Sequence, residues 1–325
     1  MRQFLRIVDI PLFEAGQVLL RAKEIKDQKV RSTLLAGQTA LLLFEKASTR
    51  TRLSFEMAVR HLGGSTIFMT PTESQLGRNE PLTDSARVFG RYVDLLIVRT
   101  FEQAKLATLA ECSGLPVVNA LSDAHHPCQV MSDVLTIYER TPDLENVHVA
   151  WIGDGNNMAQ SWIDAASYFP FYLTMAFPKG YEPRDHDVIA RALAHGAKIF
   201  MTHDPAEAME GAHYVNTDVW ASMGQEEEQA KRLKAFKGFE VNAGLMALAA
   251  PEAKVMHCLP AHRGEEVSAE VLDGENSIIF DQAENRMHMQ MAILEWVTQG
   301  IEVDFKAIEA LAMNVPKVPP MHAPF

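Results

Sequence analysis

"ALLLFEKASTRTRLSFEMAVRHLGG", residues 40–64, passes within a few positions from an unbroken apolar run into Ser48-Thr49-Arg50-Thr51-Arg52, then into a stretch of helical periodicity closed by two glycines. The apolar run of five reads as a buried strand, and residues 53–62 read as a helix. The donor-rich residues therefore fall where a strand ends and a helix begins. At such a junction unpaired backbone N–H groups and the positive end of the helix dipole add to the side-chain donors, which together make a cradle for a phosphate or a carboxylate. The competing reading is an ordinary helix start, in which Ser and Thr cap the helix and Arg50 and Arg52 are solvated or paired with Glu45 and Glu56. Basic side chains at a positive dipole end are mildly unfavourable without an anion, and this favours the cradle.

The whole chain sets the frame for that patch. It has 325 residues, 47% hydrophobic and 22% charged, enough for two domains with separate cores. Its formal net charge of -12 disfavours nonspecific nucleic-acid binding but leaves room for a local anion site, which depends on a few convergent donors. The opening residues lack the basic start, apolar centre and small-residue cleavage site of a secretory signal, and no stretch approaches eighteen apolar residues, so no membrane span is expected and the cytoplasm is the expected location. Cys112, Cys128 and Cys258 lie far apart without CxxC spacing, which fits a reducing compartment.

Strand-like runs at residues 40–44, 66–69, 94–98 and 115–118 alternate with helix-like runs at 53–62, 83–92 and 101–111. After the helical "PCQVMSDVLTIYERT", Pro142-Asp143 breaks the pattern. A second series then has strands at 147–152, 172–177, 198–201, 214–216 and 255–258, with helices such as 186–195 between them. This alternation predicts an α/β protein of two doubly wound parallel-sheet domains in tandem, residues 1–140 and 141–325, with the active site in the cleft between them. A last helix near residues 282–312 is expected to pack back on the first domain. In such sheets ligands sit beyond the carboxyl ends of the strands. Arg99, His126 and Gln129 fall there in the first series; Asp154 to Asn157, Asp218 and the group from His257 to Pro260 do so in the second.

Some single signals have plainer readings. "GDGNNM" is half of a dinucleotide fingerprint, but the third glycine would fall at Met158, so close approach of a pyrophosphate is not supported. His125, His126 and Cys128 are metal-ligand types, yet adjacent residues rarely converge on one ion without remote partners. Cys258 is either an inert buried thiol or a polarised group beside a reacting amine.

Taken together, Ser-Thr-Arg-Thr-Arg after a strand, "HHPCQVMSD", "WIGDGNNMAQS", "TDVWASMGQEEE", "HCLPAHRGEEV" and "FDQAENRMH" resemble, in order and spacing, the motifs of the aspartate/ornithine carbamoyltransferase family. The Ser-Met-Gly and His-Cys-Leu-Pro elements resemble the members that use ornithine. The resemblance implies transfer of a carbamoyl group from carbamoyl phosphate to the δ-amine of L-ornithine, without metal or organic cofactor. By the same resemblance Ser48, Thr49, Arg50 and Thr51 hold the phosphate. Arg99, His126 and Gln129 grip its bridge and the carbamoyl group, and Arg286 reaches the carbonyl. Asn157 and the Met223 backbone meet the ornithine carboxylate, Asp218 and Ser222 meet its α-ammonium group, and Asp218, Cys258 and the Leu259 carbonyl orient the δ-amine. The resemblance also implies a homotrimer in which Gln75 is lent to a neighbouring subunit's site. An aspartate-using relative would call for extra basic residues where Asp218 and Ser222-Met223-Gly224 stand, and a noncatalytic relative would be expected to have lost Asp218 or Cys258. A relative acting on putrescine or an acylated ornithine differs in the acceptor loop, where Asp218 with Asn157 suits a free zwitterionic amino acid best. Anabolic and catabolic members share the reaction.

Overall fold

The computed structural model describes residues 1–73, 80–221 and 228–315. The chain divides into two compact units: Met1–Arg140 with Asn156–Ser161 and Ile278–Asp304 form unit 1, while Thr141–Gly155, Trp162–Ser277 and the segment beginning at Phe305 form unit 2.

Unit 1 alternates helices and strands in the order α1 (Leu12–Asp27), β1 (Thr39–Phe44), α2 (Thr49–His61), β2 (Ser65–Met69), α3 (Leu82–Tyr92), β3 (Leu95–Arg99), α4 (Gln103–Ser113), β4 (Val117–Leu121) and α5 (Pro127–Tyr138). Its strands form one parallel sheet in the order β2-β1-β3-β4. Since β2 and β3 lie on opposite sides of β1, right-handed crossovers place helices on both faces of the sheet. The crevice where the strand order reverses lies beyond the ends of β1 and β3, with Phe44 and Arg99 in register. The apolar β1 is buried along almost its whole length, as a central parallel strand should be.

Unit 2 continues with β5 (His148–Ile152), α6 (Asn157–Tyr168), β6 (Tyr172–Ala176), α7 (His186–Ala194), β7 (Lys198–Thr202), α8 (Pro205–Met209), β8 (Tyr214–Thr217), α9 (Gln229–Ala235), α10 (Ala243–Met246), β9 (Lys254–His257) and α11 (Ala269–Leu272). The parallel sheet has the order β7-β6-β5-β8-β9 and reverses between β5 and β8, where Ile152 and Thr217 are in register. The chain then forms α12 (Ile279–Gln299) and α13 (Phe305–Glu309).

Three expectations are adjusted. Helix α2 begins four residues earlier than the pattern at residue 53 indicates, because Ser48 caps it by accepting the Thr51 N–H at 3.3 Å. Strand β4 begins at Val117, since Pro116 has no N–H for the ladder, and runs on through Asn119 to Leu121. The polar Asn119 ends the apolar run in the sequence but is buried in the structure, donating to the Leu5 carbonyl at 2.9 Å. The last long helix ends at Gln299, before Gly300 at φ +82°, so residues 300–312 are not part of it, and Phe305–Glu309 is a separate helix of unit 2.

Helix α12 packs against α1, α2 and α5 within unit 1. The Arg21 Nε donates to Glu295 at 2.7 Å, and the Trp296 indole donates to Glu14 at 2.6 Å. Among the described residues no helix is long and apolar enough to cross a membrane.

The glycines of "GDGNNM" have a local cause. Gly153 sits at φ +147°, and a Cβ on Gly155 would lie 2.3 Å from the Pro183 nitrogen and 2.6 Å from the Tyr181 carbonyl oxygen. The close neighbour that requires Gly155 is therefore this chain's own backbone. Because backbone cannot yield as a side-chain tip does, Gly155→Ala is expected to destabilise the protein by about 1–3 kcal/mol or more, read as a lower urea midpoint against wild type.

Candidate functional site

The donor cluster occupies the cap and first turn of α2, beyond the end of β1. Thr49 is exposed, Ser48 and Arg50 are half-buried, and Thr51 is buried. The Arg50 Nε is buried without a hydrogen-bond partner. Arg52, one turn further on, leaves the group: its Nε donates to Glu56 at 2.8 Å and its guanidinium lies 3.7 Å from the Phe68 ring centroid. The plain helix-start reading therefore holds for Ser48 and Arg52. Glu45 is not Arg50's partner, since it takes Lys105 and the Thr100 hydroxyl.

Two further cations converge on the same turn. The Thr51 hydroxyl accepts from Arg286 Nη2 at 2.7 Å and from Arg99 Nη1 at 3.4 Å. Arg99 is the last residue of β3, and the register with β4 shifts between Val98 and Arg99, a local irregularity that re-aims the strand end. Arg286 comes from α12, distant in sequence but part of unit 1. His126 is the N-cap residue of α5, with Pro127 in the first turn. Burial, and then the charges of Arg286 and Arg99, hold its pKa well below the usual histidine range, so the ring is neutral at physiological pH. Its backbone N–H is fixed by Ser161 Oγ at 2.8 Å, and its Nδ1 is buried without a partner. Gln129, one turn on, donates from Nε2 to Asp133 Oδ1 at 2.8 Å and keeps a buried, unpartnered Oε1. The arrangement offers an anion several cationic and neutral donors together with one free carbonyl acceptor.

Asn157, at the start of α6, donates from Nδ2 to the Ser122 carbonyl at 2.7 Å, which leaves its second N–H and its Oδ1 for a ligand. In unit 2, Asp218 follows β8 and Cys258 follows the neighbouring β9. The Cys258 thiol donates to Asp218 Oδ1 at 3.2 Å, and the same oxygen takes the Val219 N–H at 2.9 Å. The Leu259 N–H donates to His257 Nδ1 at 2.8 Å with Leu259 at φ +59°, and His257 Nε2 meets Glu266 Oε1 at 3.2 Å. Gln75, Ser222 and Met223 lie outside the described residues.

The metal question has a chemical answer at Cys128 and at the Asp218 cluster. Burial raises the Cys128 thiol to about 12, and it donates to the Asn119 carbonyl, so it is an inert thiol and a poor ligand. Asp218, His257 and Cys258 are close enough for one ion, but both ring nitrogens of His257 are engaged by Leu259 and Glu266.

Sequence reasoning did not single out Asp133, Gln282, Glu266 or Arg232. Asp133 stands four residues after Gln129 on one helix face, a spacing that pairs an amide with a carboxylate. Arg232 is buried and donates to Asp154 at 2.9 Å and to the Trp220 carbonyl at 2.8 Å, tying the turn after β5 to the chain after β8. Burial nevertheless raises the Asp154 pKa to about 6, against the pull of Arg232.

Tandem parallel α/β units, the first with a donor-rich turn at its topological switch point, define the doubly wound α/β class, whose sheets bind ligands beyond their strand ends. The comparisons narrow it. Residues 2–139 match the family model described as aspartate/ornithine carbamoyltransferase, carbamoyl-P binding domain, and residues 145–297 match the Asp/Orn binding domain of the same family. An ornithine carbamoyltransferase of Oleidesulfovibrio alaskensis is 66% identical over 299 residues, covering 92% of this chain and 99% of the relative. The structure of ornithine carbamoyltransferase from Pyrococcus furiosus matches with a TM-score of 0.86 at 42% identity, covering 93% of this chain and 98% of the other. That of the anabolic ornithine carbamoyltransferase from Campylobacter jejuni matches with a TM-score of 0.86 at 38% identity, covering 91% and 99%. The chain belongs to the aspartate/ornithine carbamoyltransferase family.

Arg50→Ala removes a half-buried charged donor from the first turn of α2. It is expected to weaken inorganic phosphate binding by about 1.5–3 kcal/mol, measured by calorimetry, with an unchanged unfolding midpoint.

Proposed function

We propose that the protein transfers the carbamoyl group of carbamoyl phosphate to the δ-amine of L-ornithine, giving L-citrulline and phosphate in arginine biosynthesis. The observation that carries this reading is the convergence of Arg99 and Arg286 on the Thr51 hydroxyl beside a neutral His126. Ser48, Thr49, Arg50 and Thr51, with the first backbone N–H groups of α2, hold the phosphate. As the amine attacks, charge builds on the carbonyl oxygen, and Thr51, Arg99, His126 and Arg286 supply fixed donors to it. His126 acts there as a neutral hydrogen-bond donor and not as a proton carrier. Gln129 receives the carbamoyl amide. The leaving phosphate is stabilised by Arg50 and takes the proton released by the amine.

Asp218 and Ser222 hold the ornithine α-ammonium group, and Asn157 with the Met223 backbone holds its carboxylate. Cys258, Asp218 and the Leu259 carbonyl orient the δ-nitrogen. A carboxylate beside an amine stabilises the ammonium form, so Asp218 orients and does not deprotonate; the enzyme selects the neutral amine from solution. Family resemblance supports a cytoplasmic homotrimer in which Gln75 completes a neighbouring subunit's site. If so, mixing inactive Gln75→Ala and Arg50→Ala chains restores activity after subunit exchange, since some sites receive both intact halves; no recovery would remove the shared-site reading.

Phosphate release and formation of the carbamoylated amine, assayed with ornithine, putrescine, aspartate and acetylornithine side by side, test the activity, with turnover expected for ornithine alone. The δ-ammonium of ornithine should titrate near lysine's value of about 10.4, so the ornithine KM is expected to fall as pH rises from 6 to 10. His126→Asn is expected to lower kcat without removing any ionisation from the profile between pH 6 and 8, because the wild-type ring is already neutral there.

A further inference from the structure

The Gln129 amide is held in one orientation by a residue to which neither the sequence nor the family comparison assigns a role. Asp133, one helical turn beyond Gln129 on α5, has no solvent exposure, and its Oδ1 accepts Gln129 Nε2 at 2.8 Å and Gln282 Nε2 of α12 at 2.8 Å. A carboxylate can only accept. The Gln129 NH2 must therefore face Asp133, and its carbonyl Oε1 must point away. That oxygen is buried and unpartnered on a side chain only 1% exposed. A buried orphan acceptor is costly, whereas one that meets an N–H of a ligand is satisfied.

We infer that Asp133, steadied by Gln282, is a positioning residue that makes the site select a carbamoyl over an acetyl phosphate. The inference rests on the carbamoyl phosphate reading given above. Carbamoyl and acetyl phosphate are nearly isosteric and differ in whether NH2 or CH3 stands beside the carbonyl. With Oε1 forward, Gln129 accepts from the NH2 and finds nothing to accept from the methyl group. With the amide reversed, Gln129 would present N–H to N–H and the preference would disappear. Specificity of this kind is large because the mismatched ligand leaves a buried polar atom unpaired. Asp133 need not touch the substrate. It fixes which end of Gln129 does.

The test compares the binding of carbamoyl phosphate, acetyl phosphate and inorganic phosphate to wild type, Asp133→Leu, Asp133→Ala and Asp133→Asn. Leu replaces the acceptor with a bulkier apolar side chain; Ala removes the acceptor with less steric demand should Leu not fold; Asn keeps the shape and an acceptor oxygen. In both apolar variants carbamoyl phosphate is expected to weaken by about tenfold to a hundredfold, with acetyl phosphate and inorganic phosphate held within about twofold. Asp133→Asn should retain most of the wild-type preference. Equal weakening of all three ligands in Asp133→Ala would make the residue merely structural and overturn the inference, as would an unchanged preference for carbamoyl over acetyl phosphate. Wild type that binds inorganic phosphate but shows no preference for carbamoyl phosphate would overturn the underlying functional reading, a result distinct from either.

Discussion

One neutral oxygen organises unit 1: the Thr51 hydroxyl, which draws the guanidinium groups of Arg99 and Arg286 to the first turn of α2. Two like charges drawn to one oxygen repel, the more strongly the lower the local dielectric constant. That repulsion is offset in part by hydrogen bonds and is best offset by an anion. The same field decides the state of His126, whose ring loses its proton because it is buried and faces both cations. Positive charge is thus concentrated on groups that cannot release a proton, while the His126 ring is kept neutral. In the proposed function this arrangement would stabilise developing negative charge without reorganising, as preorganised donors do in acyl transfer.

Unit 2 fixes its polar group by backbone rather than by charge. His257 Nδ1 accepts the Leu259 N–H, so the ring proton lies on Nε2 and is directed at Glu266. Glu266 Oε1 also takes the His262 N–H at 2.5 Å, closing the turn from both ends. Leu259 at φ +59° is a conformation a leucine avoids, and a buried network that over-determines the turn is what holds it there. Cys258, between His257 and Leu259, is thereby aimed at Asp218. Its polarised-thiol reading and its inert reading meet in that contact: the thiol is a donor held in place by a carboxylate.

The strand ends were legible because a central parallel strand is an unbroken apolar run, and a polar residue after it stands out. Phe44 to Glu45 and Val98 to Arg99 both show this edge in the sequence, whereas Asn216 and Thr217 blur it before Asp218. Asn119 shows the opposite case. It reads as the end of a strand, yet it is a buried member of one, its Nδ2 donating to a carbonyl that arrives from the amino-terminal segment. Arg52 could not be told from Arg50 by spacing, since its separation depends on Phe68, which β2 supplies. Asp133 and Glu266 are not singled out in the sequence. Their weight comes from complete burial against specific donors, a property of packing that periodicity does not encode.

The order in which these pieces meet along the chain bears on how the first unit is made. Nearly every residue of α5 is buried, and much of what covers it is α12, which follows the whole of unit 2 in sequence. That helix brings Arg286 to Thr51, Gln282 to Asp133, and Asn285 to Thr136 at 2.9 Å, while Glu295 and Trp296 fasten it to α1. Residues 1–140 alone would therefore expose an apolar helix face and lack the Gln282 donor to Asp133 and the Arg286 donor to Thr51. One helix supplies both part of the core and part of the donor cluster. A change on α12 that loosens its packing is thus also a change in the electrostatics of the cradle, even where the altered side chain never approaches the ligand.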